Sequence, residues 1–260
     1  MSVTPFSDAE QLSRKHTFSL VSSGKREDGR DLSTYREVKV EEGFVEKSHG
    51  SAIVSIGETR ILAAVRVEAG VPFPDTPDEG MLNVNAELVP FARPEFQSGP
   101  PNEDTIELAR LVDRGLRGAK TIDLSKLSIE SGKKALAVYI DIYALNNDGN
   151  MVDAATLATM KALKKTIIPP IQGFSDTPKQ LEVGNLPVSV SLIKVNEKLI
   201  VDPSRLEEEI AQVKISACID KEGNVCSLQK SEVGSMPVSL MKEAIRLARE
   251  KSKGLLAVLG

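Results

Sequence analysis

Apolar and polar positions alternate along much of this chain from residue 36 onward. In REVKVEE, Val38 and Val40 alternate with charged residues, and SAIVSIG and TRILAAVRV follow, parted only by Gly57 and Glu58. A period of two is that of a strand, so this region predicts a strand, then a strand, tight turn and strand. MLNVNAELV adds another. In KALAVYIDIYAL, Leu136, Val138, Ile140 and Ile142 alternate against Ala137, Tyr139 and Asp141, which predicts a central strand ending in the turn NNDGN. The pattern resumes in PVSVSLI, KLIVD, QVKISACID and NVCSLQK.

A different period marks the helices. IELARLVDRGLR places Leu108, Leu111, Val112 and Leu116 on one side. Arg110, Arg114 and Arg117 fall within an arc of about 60° on the other, at roughly 100° per residue. Asp104 is the predicted N-cap, with Glu107 three residues later at capping-box spacing. Further helices are predicted near Asp8 to Leu20, from about Val152 to Lys165 with Pro169 and Pro170 stopping it, and from Ser235 with Pro237 in the first turn. Two proline-rich stretches, AGVPFPDTPDEG and ARPEFQSGPPNED, exclude helix and central strand and predict surface excursions. Strands followed by a helix occur twice, around the loosely patterned stretch IQGFSDTPKQLEVGN. That order implies an α+β fold of two similar layered units. The predicted division is an N-terminal helical extension at 1–25, a first half at 26–168 and a second half at 185–260.

Composition narrows the chemistry. With 260 residues and 41% hydrophobic content, the chain can bury a sizeable core. Its 33 Lys and Arg are interspersed with 37 Asp and Glu, for a formal net charge of -4, so any anion site must be local. No apolar run approaches the roughly 20 residues of a membrane span, and the N-terminus has no signal-peptide core. The expectation is a soluble cytoplasmic protein. With His16 and His49 the only histidines, and no Cys-x-x-Cys pair, no zinc ligand set is present, and no metal or cofactor is expected. Cys218 and Cys226 flank the hairpin turn DKEGN. They face one another or not depending on register, and reduced thiols are expected rather than a disulfide.

Three places have candidate chemistry, each beside a plainer reading. The arginine stripe is either a solvated face pairing with Glu107 and Asp113, or a row of forked donors for successive phosphates. Gly115 and Gly118, costing about 1 kcal/mol each in a helix, suggest close approach of a ligand or another backbone. The turn before Val152 places helix N-H groups where phosphate binds in other proteins, but Asp148 and Asp153 bracket it and repel anions. Asp202, Glu207, Glu208 and Glu209 form either a magnesium-binding cluster or a solvated turn.

REDGRDLSTYR, GSAIVSIGETRILAAV, PFPDTPDEGMLNVNAELVPFA, PEFQSGPPNEDTIELARLVDRGLR and DIYALNNDGNMVDAATLA together resemble the RNase PH family, from about Arg26 to the last helix. Within it, the chain is most similar to the non-catalytic RNase PH-like ring subunit of the archaeal exosome. The resemblance implies an RNase PH-like fold, two β-rich halves with helices packed on one side. Family enzymes shorten RNA from the 3′ end by phosphorolysis. Active relatives use a Gly-Ser/Thr-Arg motif for phosphate, an aspartate after the acidic turn and an arginine ahead of the helix.

Here those positions align with Gly149-Asn150-Met151, Gln212 and Asp104. One lost oxyanion donor costs about 10² to 10³ in rate, so the resemblance implies an inactive subunit. The implied partners are a catalytic RNase PH-like exosome subunit, in a ring of three heterodimers, RNA-binding cap subunits and single-stranded RNA. Arg110 and Arg114, with Arg117 as the weaker candidate, are the implied RNA contacts. The alternative is an active phosphate-dependent 3′ to 5′ exoribonuclease, and a spacer that makes no RNA contact is a third reading.

Overall fold

The structure is a computed structural model, and it describes residues 8–97 and 99–260. The first seven residues of the predicted N-terminal extension, and Ser98 in the second proline-rich excursion, lie outside the described residues. Helix α1 (Asp8–Ser22) opens the chain. Six strands then build the first sheet: β1 (Val38–Glu42), β2 (Gly50–Ile56), β3 (Thr59–Gly70), β4 (Met81–Leu88), β5 (Ser128–Glu130) and β6 (Lys134–Asn146). Their order is β1-β2-β3-β6-β4, with β5 beside β6. All neighbours are antiparallel except β4 and β6, which run parallel. A parallel pair needs a crossover, and α2 (Glu103–Gly118) supplies it. The first half is therefore not simply strands and then one helix: the arginine helix lies inside a β-α-β unit.

Helix α3 (Met151–Lys164) follows, and the short pair β7 (Ile167–Ile168) and β8 (Lys179–Gln180) lies within the stretch that showed little pattern. The second sheet contains β9 (Val188–Val195), β10 (Lys198–Val201), β11 (Val213–Ile219) and β12 (Val225–Ser231) in the order β10-β9-β11-β12, all antiparallel. A four-residue helix, α4 (Arg205–Glu208), interrupts it, and α5 (Val238–Leu259) closes the chain. Pro237 is the N-cap of α5, one residue ahead of its first turn.

Helices α2, α3 and α5 form a layer between the sheets. α3 packs on β2 and β3 on one side and on β9 on the other, α2 bridges β4 and β12, and α5 covers β9 and β11. Enclosed on both sides, α3 buries residues all round its circumference, where a surface helix would bury one stripe. The first sheet thus carries its helices on one side, whereas the second has α3 and α5 on one face and α1 on the other, in an α+β fold. The strand pattern follows from this. Val188, Val190 and Leu192 of β9 face the main core, while Ile193 and Val195 join Val21 and Ile200 in a smaller cluster beneath α1. Both faces of β9 are covered, so every residue in it is buried.

One local expectation is corrected, and one open register is resolved. Asn102, not Asp104, caps α2, its Oδ1 accepting from the Thr105 N-H at 2.9 Å and the Thr105 hydroxyl at 2.7 Å. Asp104 sits one residue into the first turn, where its charge still suits the helix dipole. In the last hairpin, Cys218 pairs with Ser227 and Ile219 with Val225, so the irregularity between them takes Cys226 out of opposition to Cys218. Both thiols are free, and burial pushes Cys218 up to about 12.

Candidate nucleic-acid interface

Helix α2 separates two concave surfaces of opposite character. On one side Arg110, Asp113, Arg114 and Arg117 face Leu82, Asn83 and Val84 of β4 and Gln229 of β12 across a groove of about 530 Å³. Arg117 is already engaged. Its Nε donates to both oxygens of Asp113 at 2.9 and 3.0 Å, and its Nη2 donates to the Leu82 carbonyl at 2.8 Å. Among the described residues, Arg114 makes an Nε contact with the Arg110 carbonyl at 3.3 Å. Among the described residues no carboxylate pairs with Arg110 or Arg114. Glu107 does not pair with the stripe either; it accepts from the Ser231 hydroxyl at 2.9 Å.

The two glycines of α2 face the second sheet rather than this groove. A Cβ on Gly115 would lie 2.8 Å from Cys218 Sγ, and one on Gly118 would lie 2.3 Å from the Cys226 carbonyl oxygen. Close approach of the β12 backbone is therefore the reason for Gly118, and close approach of the Cys218 side chain the reason for Gly115. Together these set α2 against β11 and β12 and so fix the height at which the arginines stand.

On the opposite side of α2, near the start of α3, lies a cavity of about 320 Å³. Its wall contains Asp104, Glu107, Glu208, Glu209 and Glu232 against Arg93, Arg205 and Lys214, five carboxylates to three cations. Arg205 pairs with Glu209 at 2.6 Å and Lys214 with Glu208 at 2.6 Å. Burial opposes the charge on Lys214, but Glu208 more than compensates and raises the ammonium above its usual range. With the cations so committed, the cavity is acidic, and a phosphate dianion brought there would meet like charge.

The aligned positions are only partly gathered at this cavity. Met151 and Asp104 line it. Asn150 is fully buried beneath it, in the left-handed conformation at φ 56°, donating from Nδ2 to Asp153 at 2.9 Å and to Asp202 at 2.7 Å. Gln212 is exposed and elsewhere, its Oε1 accepting from the Asn196 N-H at 3.0 Å. From β11 it is Lys214 and Ser216 that reach the cavity.

The acidic run after Asp202 is consumed in ion pairs. Arg36 donates to Asp202 through Nε at 3.0 Å and Nη2 at 2.8 Å, and Arg30 reaches it at 2.9 Å. Burial alone would push the Asp202 carboxyl up, but the Arg36 hydrogen bonds and charge hold it below the usual range. Arg26 and Glu207, both buried, meet at 2.8 and 2.5 Å. REDGRDLSTYR is thus a structural strap, tying the first half to the loop before α4. Tyr35 completes it, its hydroxyl donating to Asp153 at 2.7 Å. Asp153 accepts further from the Ser191 N-H and hydroxyl, yet burial still pushes it up to about 6. Among the described residues, no helix is long and apolar enough to cross a membrane.

Known proteins resemble this arrangement throughout. Residues 34–169 match the family described as the 3′ exoribonuclease family, domain 1 (RNase PH), and residues 185–251 match its domain 2. The exosome complex component Rrp42 of Methanocella arvoryzae is 43% identical, with 94% of each chain covered. Its counterpart from Archaeoglobus fulgidus is 44% identical over 85% of each chain. Among solved structures, a chain of the Archaeoglobus fulgidus exosome with RNA bound to the active site superposes with TM-score 0.94 at 39% identity, covering 98% of this chain and all of that one. A chain of an archaeal exosome core gives TM-score 0.89 at 37% identity, covering 96% and 97%.

Proposed function

Because the chain belongs to the RNase PH family of 3′ exoribonucleases, we propose that it serves as a non-catalytic ring subunit of an exosome. In this reading it pairs with a catalytic RNase PH-like subunit, three such heterodimers close a ring, and cap subunits deliver single-stranded RNA to it in the cytoplasm. Arg110 and Arg114 hold the RNA backbone beside the partner's active site. Arg117 has the lesser role, since Asp113 already occupies its fork.

The observation that carries this reading is the division of charge across α2. One wall presents two guanidiniums, Arg110 and Arg114, that no carboxylate among the described residues pairs with, and these suit the bidentate grip of a phosphodiester oxygen pair. The other wall, where relatives would need inorganic phosphate, holds an excess of carboxylate. A chain so arranged can retain RNA but repels the co-substrate of phosphorolysis.

The test has two parts. The purified chain alone, given magnesium, phosphate and an end-labelled single-stranded RNA, is expected to release no nucleoside diphosphate; processive shortening would defeat the non-catalytic assignment. In the reconstituted ring, Arg110→Ala with Arg114→Ala is expected to weaken RNA binding by about tenfold, roughly 0.7 kcal/mol per guanidinium. The slope of log affinity against log salt should also flatten by about 1.4, at roughly 0.7 per phosphate contact on a single strand. Unchanged affinity and slope would remove the role given to the stripe.

A further inference from the structure

The N-terminus of α3 already has an anion bound to it, and that anion is part of the chain. Glu208 Oε1 accepts from the Asn150 backbone N-H at 3.1 Å, and the same oxygen takes the Lys214 ammonium at 2.6 Å. Those two donors, a helix-start amide and a half-buried lysine, are the kind that would cradle a free oxyanion. The carboxylate reaches them because the loop from β10 to α4 is clamped onto the turn before α3. Arg205 N-H donates to the Asp148 carbonyl at 3.1 Å, and Asn150 and Arg36 both hold Asp202 at the loop's start. Gly149, at φ 85°, makes the clamp possible: a Cβ there would stand 2.5 Å from Arg205 N and 2.7 Å from the Pro203 carbonyl oxygen.

We propose that Glu208 is the residue that excludes inorganic phosphate from this cavity, a tethered carboxylate filling an oxyanion site that the α3 amide and Lys214 would otherwise offer. This deepens the non-catalytic reading and rests on it for the choice of phosphate as the excluded ligand. Electrostatic exclusion by Asp104, Glu107 and Glu232 acts at longer range; Glu208 acts by occupancy, since its oxygen stands on the donors themselves. Removing it changes both the local charge and the space in contact with Lys214.

The experiment uses the full chain and inorganic phosphate, titrated against chloride at matched ionic strength, with thermal unfolding and phosphorus-31 line width as readouts. Wild type is expected to respond identically to the two salts. Glu208→Ala is expected to gain a phosphate-specific rise in Tm of about 3 °C at phosphate tenfold above its Kd, with matching line broadening. Adding Lys214→Met should abolish both. Glu208→Gln, which keeps the size and loses the charge, is read alongside, so that a fold defect in the alanine variant does not decide the outcome. A phosphate-specific response in either variant, lost with Lys214, supports the proposal. No response in either, or an equal response in wild type, overturns it. Failure of the non-catalytic reading would appear instead as RNA shortening by wild type, a separate measurement.

Discussion

Asp153 is fully buried and accepts from Tyr35, Asn150 and Ser191, yet its carboxyl is pushed up to about 6 because burial outweighs those bonds. Its folded value therefore lies above the ordinary 3.8, and the folded chain holds the proton more tightly than the unfolded one. The contribution to stability is fully present below about pH 4 and is lost as pH rises through 6, leaving a cost of roughly 3 kcal/mol at neutral pH. Asp202 has the opposite sign: its depressed carboxyl stabilises above the ordinary value and gives way as pH falls through the lower one. Asp153→Asn should thus differ from wild type by a pH-dependent amount, more favourable at pH 7 than at pH 4.5 by about 2 kcal/mol. Urea unfolding at the two pH values measures it, and parallel stability curves would contradict the assigned shift. Nothing in MVDAATLA announced this burial. Asp153 there reads as an ordinary first-turn acid, and only the second sheet, delivering Ser191 to it, takes it out of water.

At the scale of elements, the docking of α2 on the second sheet determines where Arg110 and Arg114 stand. Gly118 is the tightest point, because its missing Cβ would meet a backbone carbonyl that cannot swing aside, whereas that of Gly115 would meet the Cys218 thiol. Gly118→Ala is expected to cost about 1–3 kcal/mol through overpacking, despite the roughly 1 kcal/mol gain in helix propensity. Gly115→Ala should cost less. Denaturant titration of the pair checks the order, and a stabilised Gly118→Ala would show that α2 does not rest on β12 as described. The element boundaries read from pattern hold well for the long strands, where a strict period of two extends over seven or more residues. They fail where a local choice is decided by geometry a few residues away. Asn102 and Asp104 are both competent caps, and the turn out of the proline-rich loop decides between them. The two-residue strands β7 and β8 are too short to show any period.

At the scale of the molecule, the principal core is continuous from Ala52 and Ile140 of the first sheet, through Leu157 of α3, to Val190 and Ile215 of the second. The strap of Arg26, Arg30 and Arg36 adds buried ion pairs across the same divide. Although two family regions are matched, the chain should unfold as one cooperative unit, with calorimetric and van't Hoff enthalpies equal. Two resolved transitions would show that the halves fold independently. The sequence by itself determined the α+β class, the long strands, the amphipathic arginine helix and the family, because hydrophobic period and ordered motifs are local or additive along the chain. Tertiary structure decided most partners of these charges, although the Asp113–Arg117 pair lies at helical spacing and was open to the sequence. That Arg117 is also held by the Leu82 carbonyl of β4, that Lys214 rather than Gln212 faces the cavity, and that Glu208 fills the start of α3 are matters of folding rather than of spacing along the chain. Coulomb and hydrogen-bond energies act over a few ångströms in space, and spacing along the chain does not encode that distance.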